Sequence, residues 1–431
     1  MEQPNNDTFC VAPWFQIRNE NNMQKKVCCN IQTSTENHEN KTALDFLNID
    51  ENIKLKKELH TGIKSSKCNL CWQDEKKGIR SLRQKLNGVL TGNAQTIRNT
   101  WLQSYFKRKQ DFKSDHVFMA DVKMGNTCNF ACVMCTPDES SMIYNHWMQD
   151  PDSFFIKEKL KEDPTYLDKI KLFGYKNQAY RKYVDDVCTN HKLRYIKILG
   201  GEPLLDKYLL KKLSEIPVDQ KQRITLQIVT NGSVDLVDAK KYLGNFNEIQ
   251  FTISLEGVGQ VQEYARHFSN WPKIEKNILN FANSYPNDLV IHHTLQTSTI
   301  LGLQNLIKWL KQNNLFFSVG VCDRPKYLGF SSLPNKVRYF IKQNLNQIEK
   351  INQNSFGDLD TISFDKIIDY IDDTPFDEDE YTKFIKYIQW YEKGKNTPTL
   401  RQLFPALYID KETYELYNMR KDVIKWHMIK N

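Results

Sequence analysis

Cys128, Cys132 and Cys135 stand in the pattern C-x3-C-x2-C, within the run from Gly125 to Thr136. Three thiolates on one short loop can bind three irons of a four-iron, four-sulfur cluster and leave the fourth iron without a protein ligand. That open iron is where a small chelating molecule can bind and receive an electron. A zinc knuckle would need a fourth Cys or His close by, and none follows at a useful spacing. The apolar run from Val117 to Met124 comes just before the loop, so a strand is expected to deliver the three thiols.

Further strands are needed to build a site around that loop, and the sequence supplies them. Arg194 to Leu199 reads as a strand followed at once by Gly200-Gly201-Glu202-Pro203, about 65 residues after the cysteines. Ile224 to Thr230 ends in Asn231-Gly232, and Ile249 to Ser254 ends in Leu255-Glu256-Gly257. Leu289 to Gln296 and Leu315 to Val321 give two more, with amphipathic helical stretches such as Leu301 to Gln312 between strands. Six strand-then-helix units imply an α/β chain with a parallel, barrel-like sheet. Each motif falls at the C-terminal end of a strand, the end where such barrels place their chemistry.

This series resembles the radical S-adenosylmethionine (SAM) enzymes. The resemblance implies a partial (β/α)6 TIM-type barrel over 110–330, with a [4Fe-4S] cluster on Cys128, Cys132 and Cys135 completed by SAM. It implies that Gly200, Gly201 and Glu202 receive the methionine part of SAM, glycine giving close backbone approach and Glu202 charge complementary to the ammonium. Met134 matches the apolar position beside adenine. Ser254 and Arg266 are the candidates for the SAM carboxylate, although Arg266 reads equally as a surface helix residue. Many relatives carry S-x-D-G where this chain has Glu256, which leaves Glu256 outside the expected site. The implied reaction is reductive cleavage of SAM to a 5′-deoxyadenosyl radical that abstracts hydrogen from a peptide or small-molecule substrate. An electron donor such as flavodoxin or ferredoxin is implied as partner.

The N-terminal stretch, 1–90, carries a second constellation. Phe9-Cys10-Val-Ala-Pro-Trp14 opens it, Val27-Cys28-Cys29-Asn30 follows, and Cys68-Asn-Leu-Cys71-Trp72 leads on to Glu75, Gly78, Ser81 and Arg83. A C-x2-C pair brought near two distant cysteines is how a small domain builds a four-thiolate site. The layout resembles the twitch domain, a shortened SPASM domain holding an auxiliary [4Fe-4S] cluster. Its expected ligands are Cys10, Cys68, Cys71 and one of the adjacent pair, Cys29 in preference to Cys28, because neighbours on a strand point to opposite faces. A structural zinc site draws on the same thiolates.

The remaining features are less specific. Asp150 to Val187 reads as a polar, aromatic-bearing insertion (150–187), either a substrate lid or a surface embellishment. After Pro334 the chain turns helical and charged, and 331–431 is expected to form a helical C-terminal extension. Cys188 and Cys322 read as small buried apolar residues, and one of His292 and His293 should face the barrel interior. Hydrophobic residues make up 40% and charged residues 26%, ordinary for a soluble protein. Neither a secretory signal nor a membrane span is expected, and cytoplasmic metal binding accounts better than disulfides for ten cysteines. A nucleic-acid partner would rest only on the net charge of +8, which a solvated surface explains as well. The alternative from another class is a non-catalytic iron–sulfur or zinc-binding, electron-transfer protein on the same scaffold.

Overall fold

A computed structural model describes residues 7–31, 38, 41–76, 80–91, 104–109, 111–151, 153–171, 177–322, 324–347 and 364–408. Gly78, Phe173 and Tyr175, and the stretches 348–363 and 409–431 of the C-terminal extension, lie outside the described residues.

Ten strands are formed among the described residues: β1 (Gln16–Asn19), β2 (Lys25–Lys26), β3 (Met119–Lys123), β4 (Ala131–Cys132), β5 (Tyr195–Leu199), β6 (Thr225–Thr230), β7 (Glu248–Ser254), β8 (Arg266–His267), β9 (Leu289–Leu295) and β10 (Phe316–Val321). Eight of them make one sheet in the order β10-β9-β7-β6-β5-β3-β1-β2, while β4 and β8 pair by themselves. The six strands read from the sequence are β3, β5, β6, β7, β9 and β10, and every pairing among them is parallel.

The strands alternate rather than run uniformly apolar. Ile196, Ile198, Leu226, Ile228, Phe251 and Ile291 lie on one face, in a core shared with Val184, Leu209 and Phe281 of the crossover helices. The register puts Asp121, Lys197, Gln227, Thr252, His292 and Ser318 on the other face. Hydrogen bonds run across it, from Gln227 Nε2 to Thr252 Oγ1 at 3.0 Å and between His292 Nδ1 and Ser318 Oγ at 2.9 Å. A parallel sheet covered by helices on both faces would be apolar throughout; this one keeps a polar face. Burial is the largest cause that lowers the pKa of His292 on β9, and Lys197 on β5 acts in the same direction, so this polar face is shielded from water.

The N-terminal segment adds β1 and β2 to the edge of the main sheet. β1 pairs parallel with β3, placing Arg18 opposite Asp121, and the Arg18 guanidinium meets that carboxylate at 2.6 Å. Asn19 brackets Lys123 with its side-chain amide, donating to the carbonyl at 2.7 Å and accepting from the amide at 2.9 Å. Trp14, Phe15 and Ile17 are buried in the main core. Burial of large side chains on this scale, roughly 1.5–3 kcal/mol each, is what joins the segment to the barrel.

The expected insertion divides in two. Its last part, the helix Gln178–Thr189, buries Tyr180, Val184, Val187 and Cys188 and is the ordinary crossover from β3 to β5. Phe155, Ile156, Tyr166 and Ile170 instead join a second core with Phe384, Tyr387, Ile388 and Tyr391 of the helix Glu378–Glu392. Among the described residues no helix is long and apolar enough to cross a membrane.

Candidate metal centre and cofactor site

The cysteine loop leaves β3 at the C-terminal edge of the sheet and is pinned on several sides. Met124 N donates to Leu199 O at 3.0 Å, Asn126 Nδ2 to Pro137 O at 2.8 Å and Ser140 Oγ to Phe130 O at 2.6 Å. β4, which contains Cys132, pairs antiparallel with β8, setting Cys132 opposite Arg266. The three thiols feel one another. Burial pushes Cys128 up to about 12, and the charge of Cys132 adds to that. A hydrogen bond from Cys135 holds Cys132 below the usual thiol range and raises Cys135 in turn.

The Gly200-Gly201 turn packs directly onto this loop. Gly200 has φ +127, and a Cβ on Gly201 would sit 2.1 Å from Thr127 O. Gly201 N donates to Gly125 O at 2.9 Å and Glu202 N to Thr127 O at 2.7 Å. The glycines therefore let the turn approach the cysteine loop itself. Glu202 is fully buried, and its carboxylate accepts from Thr230 Oγ1 at 2.7 Å, Asn231 N at 2.7 Å and Leu204 N at 3.1 Å. Burial raises its pKa against those donors. In this structure its charge is spent tying the β5 turn to the β6 turn, whereas the sequence suggested a free partner for an ammonium group.

Arg266 is not a surface helix residue: it lies on β8. Its Nη2 donates to Glu256 Oε1 at 2.7 Å and its Nη1 lies 3.6 Å from Cys132 Sγ, while its Nε is buried without a partner. Burial works against its charge, but Cys132 and Glu256 outweigh that and keep it protonated. Glu256, set aside in the sequence because relatives carry Asp there, is fully buried at the centre of this network. Its other oxygen accepts from Thr294 N at 3.0 Å and lies 3.4 Å from His293 Nδ1. Ser254 ends β7, half-buried on the polar face opposite His292. Met134 is half-buried where the two cores meet.

In the N-terminal segment four cysteines are brought to one place. Cys10, Cys28, Cys68 and Cys71 line a single small cavity closed by Val27, Leu55, Leu82 and Leu86. Cys29 is not on it. The neighbouring charges of Cys29 are those of Arg18, Asp121, Lys197 and Glu20, on the polar face of the sheet. β2 ends at Lys26 and Cys29 lies in a turn, and of the two it is Cys28 that borders the cavity. Burial pushes Cys10 and Cys28 up, with the nearby thiols adding to it, and Cys68 is raised to about 12. Arg83 closes the site: it grips Glu75 through two nitrogens at 2.9 Å each and donates to Phe9 O at 2.7 Å.

Both cysteine sets fit the groups they would hold. The barrel loop offers three converging thiols with a fixed guanidinium beside the middle one, and the N-terminal cavity offers four thiols in an apolar wall. Among the described residues no three His, Cys, Asp or Glu side chains are drawn together tightly enough for a single metal ion.

No family model and no curated protein matches the chain. Among solved structures it is similar to native anSMEcpe with bound AdoMet and Cp18Cys peptide, at 16% identity and TM-score 0.36, over 53% of this chain and 59% of that one. SuiB of Streptococcus suis bound to S-adenosylmethionine gives 12% identity and TM-score 0.33, over 68% and 60%. TYW1 with a lysine-pyruvate adduct bound gives 15% and 0.28, over 57% and 80%. The chain thus spans 59% of the length of the anSMEcpe chain. Likenesses of this size leave the reading of the site to its own residues.

Of the two adjacent histidines it is His292 that takes the polar face of the sheet. His293 faces the helix layer against Phe317, at 6.3 Å between rings, and burial lowers the pKa of His292 on the polar face to about 4. Cys322 is buried in the second core. Tyr387 and Tyr391, which touch the cysteine loop, carried only an i, i+4 spacing on a helix. Nothing local could tell which surface that helix face would meet.

Proposed function

We propose that the chain is a radical SAM enzyme acting on a peptide or small molecule. The observation that carries this reading is the seating of the Gly200-Gly201 turn on the Cys128–Cys135 loop, at the C-terminal edge of a parallel sheet. Chance C-x3-C-x2-C spacing would not require a second glycine motif to fit against it without room for a Cβ.

A [4Fe-4S] cluster held by Cys128, Cys132 and Cys135 would supply the one-electron chemistry by which SAM is cleaved reductively and hydrogen is taken from the substrate. The chain's residues do the rest. The backbone of Gly200, Gly201 and Glu202 borders the space for the methionine part, Met134 gives an apolar wall for adenine, and Ser254 faces the same cavity. Arg266 keeps a cation beside Cys132, and its unpartnered Nε is the atom left for an anion such as the SAM carboxylate. The polar face, with Lys197, Gln227, Thr252 and His292, holds and orients the substrate. Phe154–Glu162 and Tyr166–Lys171 border the cysteine side of the barrel and serve as a lid that keeps water out. Cys10, Cys28, Cys68 and Cys71 hold an auxiliary cluster, and a flavodoxin or ferredoxin reduces the enzyme.

The test is formation of 5′-deoxyadenosine by protein reconstituted and reduced without oxygen and given SAM, beside Cys132→Ala. Cleavage by wild type alone supports the reading. An iron-loaded wild type that leaves SAM intact overturns it in favour of an electron-transfer protein on the same scaffold.

A further inference from the structure

The middle cysteine of the barrel loop is held by a helix more than 250 positions away in sequence. Tyr387 and Tyr391 lie one turn apart on Glu378–Glu392 and therefore on one face. Tyr387 donates its hydroxyl to Val133 O at 2.7 Å, and Tyr391 donates to Ala131 O at 2.6 Å. Those two carbonyls belong to the residues on either side of Cys132. The rings are 2% and 0% exposed, and they sit in an aromatic packing with Phe155 and Tyr327, whose ring centroids lie 5.2 Å and 5.1 Å from that of Tyr387. Tyr391 also reaches Tyr264 O at 3.3 Å, in the segment that leads into β8.

A peptide carbonyl bound to a buried hydroxyl cannot turn without leaving both groups unsatisfied, at a cost larger than the net worth of the bond. Tyr391 thereby holds the Ala131–Cys132 peptide and Tyr387 the Val133–Met134 peptide, while Val133 N, donating to Ala265 O at 2.8 Å, holds the Cys132–Val133 peptide between them; with the three planes held, the direction of the Cys132 side chain is set. The other backbone restraints next to Cys132 are short-range: the two-residue pairing of β4 with β8, the bond from Val133 N to Ala265 O at 2.8 Å and that from Cys135 N to Cys132 O at 3.1 Å.

We propose that Tyr387 and Tyr391 are positioning residues for Cys132: the C-terminal helix sets the direction of the middle thiol before any metal arrives. This rests on the reading of Cys128, Cys132 and Cys135 as cluster ligands. Preorganisation of this kind lowers the entropy lost when three thiols converge on one cluster. It also gives the C-terminal helices a use beyond covering an apolar surface.

The experiment uses full-length, metal-free protein and the variants Tyr387→Phe, Tyr391→Phe and the pair together, with Tyr327→Phe as control. Tyr327 lies in the same aromatic packing, so its variant shows what a perturbed ring cluster does by itself. Alkylation of Cys132 by iodoacetamide at fixed pH is followed by mass spectrometry of the loop peptide. Cys132 is 2% exposed, so its alkylation reports opening of the loop. Each hydroxyl removed should speed alkylation about tenfold, the factor that one lost buried hydrogen bond carries, with the Tyr327→Phe rate unchanged. Iron release to a chelator from reconstituted protein should quicken in the same order. Equal alkylation rates in wild type and all variants overturn the proposal. Where the double variant does not fold, the single variants, each lacking one oxygen, decide the matter. A wild type that takes up no iron on Cys128, Cys132 and Cys135 overturns the functional reading alone, and the alkylation rates then still decide the positioning.

Discussion

The Arg266 guanidinium and the Glu256 carboxylate form a buried pair at 2.7 Å, and the same guanidinium lies 3.6 Å from Cys132 Sγ. The side chain of Glu256 is completely buried and that of Arg266 is 12% exposed. Two turns of the barrel are thereby linked through charge to the middle thiol of the cysteine loop. Removing one member of such a pair leaves the other as an uncompensated buried charge, which costs about 3–5 kcal/mol. Glu256→Ala should lower the stability of the metal-free protein by about that much in urea denaturation. Glu256→Gln should cost less, because its amide oxygen still accepts from Thr294 N. An Ala variant as stable as wild type would show that the pair contributes nothing to the fold.

The split of the adjacent cysteines yields a test of the N-terminal site. Cys28 lines the cavity with Cys10, Cys68 and Cys71, and Cys29 faces Arg18, Asp121 and Lys197. Cys28→Ser should lose the metal of that site, and Cys29→Ser should keep it. Iron and zinc analysis of both variants, in a background carrying Cys128→Ala, Cys132→Ala and Cys135→Ala, reads the N-terminal metal alone. The reverse pattern would restore Cys29 as the ligand, and zinc in place of iron would give the site a structural role.

The alternation of apolar and polar residues makes the barrel strands legible in the amino-acid order alone, since strand positions follow from period two. The cysteine spacing and the glycine turn are legible for the same local reason. What escapes is what depends on distant partners. Glu202 reads as a free carboxylate in sequence, and only the approach of the β6 turn shows that its oxygens are taken. For Cys28 and Cys29 the sequence names two neighbouring thiols, and only the closing of Val27, Leu55 and Leu86 around one cavity shows which of them borders it. The joining of β1 to the main sheet depends on its pairing with β3, which a strand of four residues does not announce.

Close packing at Gly201 gives a third prediction. A Cβ there would meet Thr127 O at 2.1 Å and Thr127 C at 2.6 Å, both backbone atoms. The turn would have to leave the loop, breaking its two hydrogen bonds to Gly125 and Thr127. Gly201→Ala should therefore destabilise the metal-free protein by about 3 kcal/mol or more. Gly302→Ala is the comparison, because its Cβ would meet only side chains, Val261 Cγ1 at 3.0 Å being the nearest. It should cost less than about 1 kcal/mol. Equal tolerance of the two substitutions, read by chemical denaturation, would mean that the turn and the loop are not in the contact described.

His292 provides a prediction in pH. Burial is the largest cause that lowers its pKa, to about 4 from the ordinary 6.5; Lys197 acts in the same direction and Glu256 against it. Between those two values the unfolded chain takes a proton on this imidazole and the folded protein does not, so acid favours unfolding across that window. The contribution of His292 to stability is complete above about pH 6.5 and is lost as the pH falls towards 4. A His292→Gln variant removes this titration while leaving His146 and His267, whose pKa values are also lowered to about 4, common to both proteins. The stability of wild type relative to the variant should therefore fall by about 1–3 kcal/mol between pH 6.5 and pH 4 and stay flat from pH 6.5 to 8. Urea denaturation of the metal-free proteins across that range reads it directly. A difference that does not change with pH would place His292 in water rather than on the enclosed face of the barrel, and with it would go the case for a polar cavity facing the cysteine loop.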